Sequence, residues 1–130
     1  MSIDSSLYTR LSTYAGLIAL TSTRIYPPPV PQNPTYPLVT YQEIDRVPVK
    51  VMGTNAGVVH IRYQIDSWAS TLAAAKAVAA QIALALDNYA GTSDSVVIKN
   101  CFLDMGQSSP YDDEEGVHRY IQDFIIEFVG

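Results

Sequence analysis

The stretch Val58–Gly91, VVHIRYQIDSWASTLAAAKAVAAQIALALDNYAG, decides how the rest of the chain is read. It opens in strict alternation. Val59, Ile61, Tyr63 and Ile65 fall on one face, and His60, Arg62, Gln64 and Asp66 on the other. That period of two marks a strand buried on one side only. Across Asp66–Ser70 the period changes. Leu72, Ala75, Ala79, Ile82 and Leu86 then recur at spacings of three and four, which predicts a helix over Ser70–Tyr89 with one apolar face. Ser67 or Ser70 can cap its first-turn amides, and Gly91 stands where a left-handed terminating residue is wanted. Eight of those twenty residues are alanine, which favours helix and lets it lie close to a sheet. Such a strand–corner–helix unit specifies packing and carries no chemistry of its own.

Working outward, Asp4–Leu20 reads as a first helix. Leu7, Leu11, Tyr14, Leu17 and Ile18 follow helical spacing, Asp4 or Ser5 can cap it, and Gly16 is a point where it can break. A brief extended segment, Thr21–Tyr26, leads into Pro27–Pro37, which holds six of the eight prolines. That density excludes helix and inner strand. It reads as a stiff surface connection, with recognition by an aromatic groove as the sharper alternative. Leu38–Asp45 is a first strand. Arg46–Gly57 contains Pro48, Gly53, Asn55 and Gly57, and so reads as an edge or a mobile hairpin loop, although Val47, Val49 and Val51 alternate. Downstream lie a strand over Val96–Asp104, a loop over Met105–Gly116 and a last strand over Val117–Val129. In that last strand Tyr120, Phe124, Ile126 and Phe128 share one face, and Arg119, Asp123 and Glu127 share the other. The order α-β-β-α-β-β predicts one α+β domain over residues 1–130. Its simplest assembly is a four-stranded, mainly antiparallel sheet with two helices packed on one face.

A length of 130 residues sets the scale of one domain. Apolar residues make up 48% and charged residues only 16%, more apolar surface than a small domain can hide, which favours an oligomer. The net charge of −5 argues against a protein that wraps nucleic acid, which needs a basic stripe. Cys101 sits in an apolar strand pattern and reads as a small buried hydrophobe. The N-terminus lacks the basic-then-apolar layout of a signal peptide, and no apolar run reaches the roughly 20 residues of a bilayer span. Folding in a cytoplasm is therefore expected.

Searches for chemistry come back nearly empty. His60 and His118 each stand at a polar strand position beside an arginine, with no third metal ligand at a defined spacing. There is no glycine-rich phosphate loop before a helix and no Gly-x-Ser-x-Gly elbow. The run Asp112-Asp113-Glu114-Glu115 stands out, yet four consecutive acids do not make a calcium loop. It reads as a solvated loop tip, or as a docking loop for a basic partner. Nine tyrosines suit half-wet sheet edges and protein interfaces. The candidate protein-contact residues are Tyr111, Asp112, Asp113, Glu114 and Glu115 on the acidic loop, with Arg46, Lys50 and Met52 on the Arg46–Gly57 stretch.

An ordered series of segments carries a likeness. Thr23-Arg24-Ile25-Tyr26-Pro27 is followed by Tyr36-Pro37-Leu38-Val39-Thr40-Tyr41 and then by Val59–Ala69, which contains Gln64-Ile65-Asp66-Ser67-Trp68-Ala69. The alanine-rich helix ending in Ala85-Leu86-Asp87 comes next, then Gly91, Phe102-Leu103-Asp104 and Tyr120-Ile121-Gln122-Asp123-Phe124. From about Leu7 to Phe128 the chain resembles the tail completion proteins of long-tailed bacteriophages, also called tail terminators or tail-to-head joining proteins. The resemblance implies an α+β subunit of a ring, usually a hexamer. That ring closes the head-proximal end of the tail tube, meets the tube protein on one side and offers a docking surface to the head connector or head-closure protein on the other. It also implies a virion location after synthesis in a bacterial cytoplasm, DNA passing through the ring without specific binding, no catalysis, no metal and no cofactor. The likeness brings no residue-level functional motif.

Rival readings are an enzyme, a stand-alone ligand-binding module, and a neighbouring virion role such as head-closure adaptor or minor tail protein. The first needs a convergent polar pocket, and the sequence gives no titratable cluster outside the acidic loop. The alternation at Val59–Asp66 makes a direct prediction. Ile61→Asp should cost at least about 4 kcal/mol by burying an unpaired carboxylate, while Arg62→Ser should leave the domain folded. Equal stability loss in denaturant melts of the two variants would overturn the face assignment.

Overall fold

The computed structural model describes residues 3–22, 24–27, 35–51, 54–93, 96–108 and 117–129. In chain order these form helices α1 (Ile3–Ser12) and α2 (Ala15–Thr21), strands β1 (Ile25–Tyr26), β2 (Leu38–Val51) and β3 (Thr54–Ala69), helix α3 (Leu72–Leu86), and strands β4 (Gly91–Ser93), β5 (Val96–Ser108) and β6 (His118–Val129). The strands make one sheet in the order β1-β2-β3-β6-β5-β4. Every neighbouring pair is antiparallel except β1 and β2, which run parallel.

The expected four-stranded sheet with two helices is therefore corrected to a six-stranded mixed sheet with three helices. The extra strands are the two short edges, two residues long in β1 and three in β4. Segments so short carry no readable period; pairing makes them strands, Ile25 against Val39 and Gly91–Ser93 against Val96–Ile98. The extra helix comes from a break in the predicted Asp4–Leu20 segment. Tyr14 takes an extended conformation (φ −81°, ψ 110°), so the chain turns between Ser12 and Ala15 and α2 starts afresh. Gly16 follows at once, and a Cβ there would run into the Gln81 side chain of α3.

Strand lengths are corrected too. The breaker-rich Arg46–Gly57 stretch is mostly hairpin: β2 continues to Val51 and β3 begins at Thr54. Pro48 is tolerated at an edge: among the described residues β1 covers only Val39 and Thr40 of the outer side of β2. Bulges between Glu43 and Asp45 and between Pro48 and Lys50 further break that edge, as natural sheets do to discourage edge-to-edge association. Likewise β5 runs on to Ser108, into the expected Met105–Gly116 loop. The remainder of that loop, with most of the Pro27–Pro37 connection, lies outside the described residues.

The core lies on one side of the sheet. Ile61, Tyr63 and Ile65 of β3, with Phe124, Ile126 and Phe128 of β6, pack under Leu7, Leu11, Leu17, Val78, Ile82 and Leu86 of the helices. The predicted alternation holds through β3, where Tyr63 and Ile65 are fully buried. Helix α1 touches both short edge strands, β1 and β4, so the sheet curls around it. Tyr63, buried at the sheet centre, donates its hydroxyl to Asp4 in the first turn of α1, and burial foremost pushes its own ionisation upward. At the other end of α1, Arg10 donates from Nε to the Ala85 carbonyl at 2.9 Å and stacks over Tyr89, 4.2 Å from the ring centre. That carbonyl is among those the end of α3 leaves unsatisfied, where a cation is favoured.

Both expected caps of α3 are replaced by neighbours. Thr71, and not Ser67 or Ser70, accepts from the Ala74 amide at 3.1 Å, while Ser67 is wholly buried in the sheet. The left-handed residue is Asn88 (φ 63°), whose amide donates to the Cys101 carbonyl at 2.7 Å. Gly91 belongs to β4. Cys101 is buried as expected, and desolvation pushes its thiol up to about 12. Thr71→Ala should cost about 1 kcal/mol through loss of the cap, and Ser70→Ala less than about 0.5 kcal/mol. Thermal unfolding of the two variants distinguishes the capping residue.

Candidate interaction surface

No described helix covers the other face of the sheet, and the chain's polar strand positions gather there. Register brings His60 opposite Glu127, Arg62 opposite Ile125, Gln64 opposite Asp123, Asp66 opposite Ile121 and Trp68 opposite Arg119. From the flanks, Asp45 and Val47 of β2 align with Arg62 and His60, and Phe102 of β5 aligns with Ile125. The bulge between Leu103 and Met105 inserts Asp104 as an unmatched residue. Its carboxylate accepts from Arg62 at 2.7 Å, while Asp123 accepts from the same guanidinium nitrogen at 3.3 Å. The Asp104 hydrogen bond is the main reason Arg62 is held even more firmly protonated than usual.

A second cluster sits at the strand-to-helix corner, on the Gln64–Ala69 segment. Asp66 is buried. It accepts from Arg119 Nε at 3.0 Å and from a terminal nitrogen of the same guanidinium, and from Gln64 Nε2 at 3.3 Å. Burial pushes the Asp66 carboxyl above its ordinary range, and the Arg119 and Gln64 hydrogen bonds oppose that rise. Arg119 also lies over the Trp68 ring, 4.7 Å from its centre. Trp68 in turn donates from Nε1 to Thr40 Oγ1 at 3.0 Å. One ion pair and one indole thus tie β2, β3 and β6 together where the chain leaves the sheet for α3. His60 and Glu127 stand 3.6 Å apart further along.

Beyond Arg62 the β2–β3 hairpin runs out as an arm. Gln42–Val47 are all exposed, Ile44 stands out at the bulge, and Val47 is 58% exposed. At the base of the arm a notch of about 270 Å³ is lined by Asp45, Val47, His60, Arg62 and Ile125. Among the described residues no three His, Cys, Asp or Glu side chains come together as a metal site requires, and no helix is long and apolar enough to cross a membrane.

Of the contact residues expected from sequence, Arg46 lies on this arm. It pairs with Glu43 at 2.6 Å and approaches the Phe128 ring at 5.8 Å from its centre. Lys50 lies on β2 opposite Asn55. Met52, Tyr111, Asp112, Asp113, Glu114 and Glu115 lie outside the described residues. Sequence reasoning missed the pairings Arg62–Asp104–Asp123 and Arg119–Asp66. The signal was present as a shared polar period on β3 and β6, but strand register selects the partners.

The comparisons with known proteins agree with this architecture. A family model described as "Tail completion protein gp17" matches residues 5–127, nearly the whole chain. The chain belongs to this family. It is accordingly a structural protein of a virion tail. A solved chain from the virion of a native gene transfer agent particle has the same fold, with a TM-score of 0.81 at 20% identity over 99% of this chain and 96% of that one. No curated protein matches.

The Asp66–Arg119 pair yields a prediction whose sign follows from burial. Arg119→Ala leaves a buried carboxylate without its cation and should cost about 3 kcal/mol near neutral pH. Asp66 already binds its proton more readily when folded, and loss of Arg119 strengthens that preference. The deficit should therefore be largest above the raised carboxyl range and shrink as pH falls towards the ordinary Asp value, about 3.9. Urea melts at several pH values read both effects.

Proposed function

We propose that this protein closes the head-proximal end of a tail tube as a ring and presents the surface on which the head connector or head-closure protein docks. The observation that carries this reading is the family match over residues 5–127. Composition supports it: an excess of apolar over charged residues suits a subunit whose free surface is completed by neighbours. Closure into a ring, hexameric as the resemblance implies, requires two different complementary patches on each subunit. In this reading Arg46 and Lys50 of the β2–β3 arm, together with Met52, Tyr111 and Asp112–Glu115, are contact residues towards tube and head.

Ion pairing of Arg62 and Arg119 supports passage of DNA without capture. Arg62 is bonded to two carboxylates and Arg119 to Asp66, so neither guanidinium is free to displace counterions from phosphate. The role needs no catalysis, and the side-chain clusters described on the sheet are ion pairs and stacks that brace strands.

Phage lacking this gene should accumulate heads beside unjoined tails, some overlong, by electron microscopy, and purified protein should restore joining. Tails of normal length attached to heads in the deletion strain would overturn the reading.

A further inference from the structure

We propose that the notch at the base of the β2–β3 arm receives Leu84 of a second copy of this chain, making a head-to-tail contact. The inference rests on the ring reading above and assigns its two complementary patches. Leu84 and Val47 are the most exposed large hydrophobic residues described, at 65% and 58%. They lie on opposite sides of the subunit. Leu84 projects outward from α3, which covers the core face, and Val47 lines a depression on the face that no described helix covers. A knob on one side and a hollow on the other is the arrangement a closing heterologous contact needs, whereas a two-fold dimer buries one patch against itself.

The charges match as well. Lys76, Ala80 and Leu84 are exposed at spacings of four and form one ridge along α3. The Lys76 ammonium and the Asp45 carboxylate have no ion-pair partner among the described residues. Asp45 lines the notch two residues from Val47. With Leu84 seated beside Val47 and Ile125, Lys76 lies about 12 Å back along the helix, while Asp45 lies roughly 6.6 Å from Val47 along the strand. The flexible stem of lysine takes up the difference. The small Ala80 between them lets the ridge lie down on the sheet. A second copy is the occupant because the complementary ridge, apolar with one cation that has no ion-pair partner among the described residues, is part of this same chain.

Val47→Cys and Leu84→Cys are prepared as separate single variants. Both sites are exposed, and native Cys101 is buried and does not compete. The variants are oxidised at high protein concentration, alone and mixed, and matched unoxidised samples are imaged for rings. A covalent dimer in the mixture, with little in either variant alone, is expected, as is a ladder ending at the ring size in the double variant. Lys76→Glu should reduce cross-linking in the mixture at least tenfold, and Asp45→Lys on the other partner should restore it. Dimers of one variant alone, or no product in the mixture, overturn this contact. Rings that persist in that case leave the ring reading standing; absence of rings in the unoxidised wild-type chain, at high concentration and on added tails, removes both.

Discussion

The structure depends on one constraint: from Val59 to Trp68, β3 is paired on both sides, by β2 and by β6, while only one of its faces carries the apolar core. Pairing on both edges satisfies its backbone polar groups, so the strand can sit at the centre of the domain. Burial on one face then fixes its register. A slip by one residue would exchange Ile61, Tyr63 and Ile65 for Arg62, Gln64 and Asp66 beneath the helices. Fully burying an aliphatic or aromatic side chain is worth about 1.5–3 kcal/mol, so the three positions together exceed what local strand or turn preferences can offset. The neighbours inherit that phase: Phe124, Ile126 and Phe128 of β6 face the core because their partners on β3 do.

The helices are fastened to this frame at few polar points. Tyr63 reaches from the sheet centre to Asp4 at the start of α1, and Arg10 reaches from its last turn to the end of α3. Since α1 also touches β1 and β4, the two edges of the sheet are drawn towards one helix. That curl is what gives residues as short as Ile25–Tyr26 and Gly91–Ser93 a strand to pair with and a core to border. The opposite face is left without a layer of this chain's described helices. A sheet with one face bare of described helices, and membership of a tail-protein family, fit a subunit made for assembly.

On that uncovered face the arginines are anchored by carboxylates and an indole, and they serve the sheet first. The bulge at Asp104 turns one extra carboxylate towards Arg62, an example of a local backbone irregularity re-aiming a side chain. The Gln64-Ile65-Asp66-Ser67-Trp68-Ala69 segment, most distinctive in the sequence likeness, proves to be a corner clamp. Its Asp66 and Trp68 hold Arg119 and Thr40 across three strands.

The sequence by itself determined the buried and polar faces of β3 and β6, the existence of α3, the burial of Cys101 and, through an ordered series of short segments, the family. Each of these rests on local periodicity or on linear order, which survive without a fold. Only the tertiary structure decided the six-stranded mixed sheet, since β1 and β4 are too short to carry a period and exist because a neighbour pairs with them. It also decided that Thr71 and Asn88 terminate α3 in place of Ser70 and Gly91, because backbone angles at the corner select among adjacent candidates. The breaker-rich Arg46–Val51 segment became strand because β3 pairs with it, while among the described residues β1 reaches no further along β2 than Thr40, leaving Pro48 at an edge where proline is tolerated. And the charged partners on the polar face, Arg62 with Asp104 and Asp123, Arg119 with Asp66, are 42, 61 and 53 residues apart in sequence. Alternation says that such residues point the same way, but register alone says which of them meet.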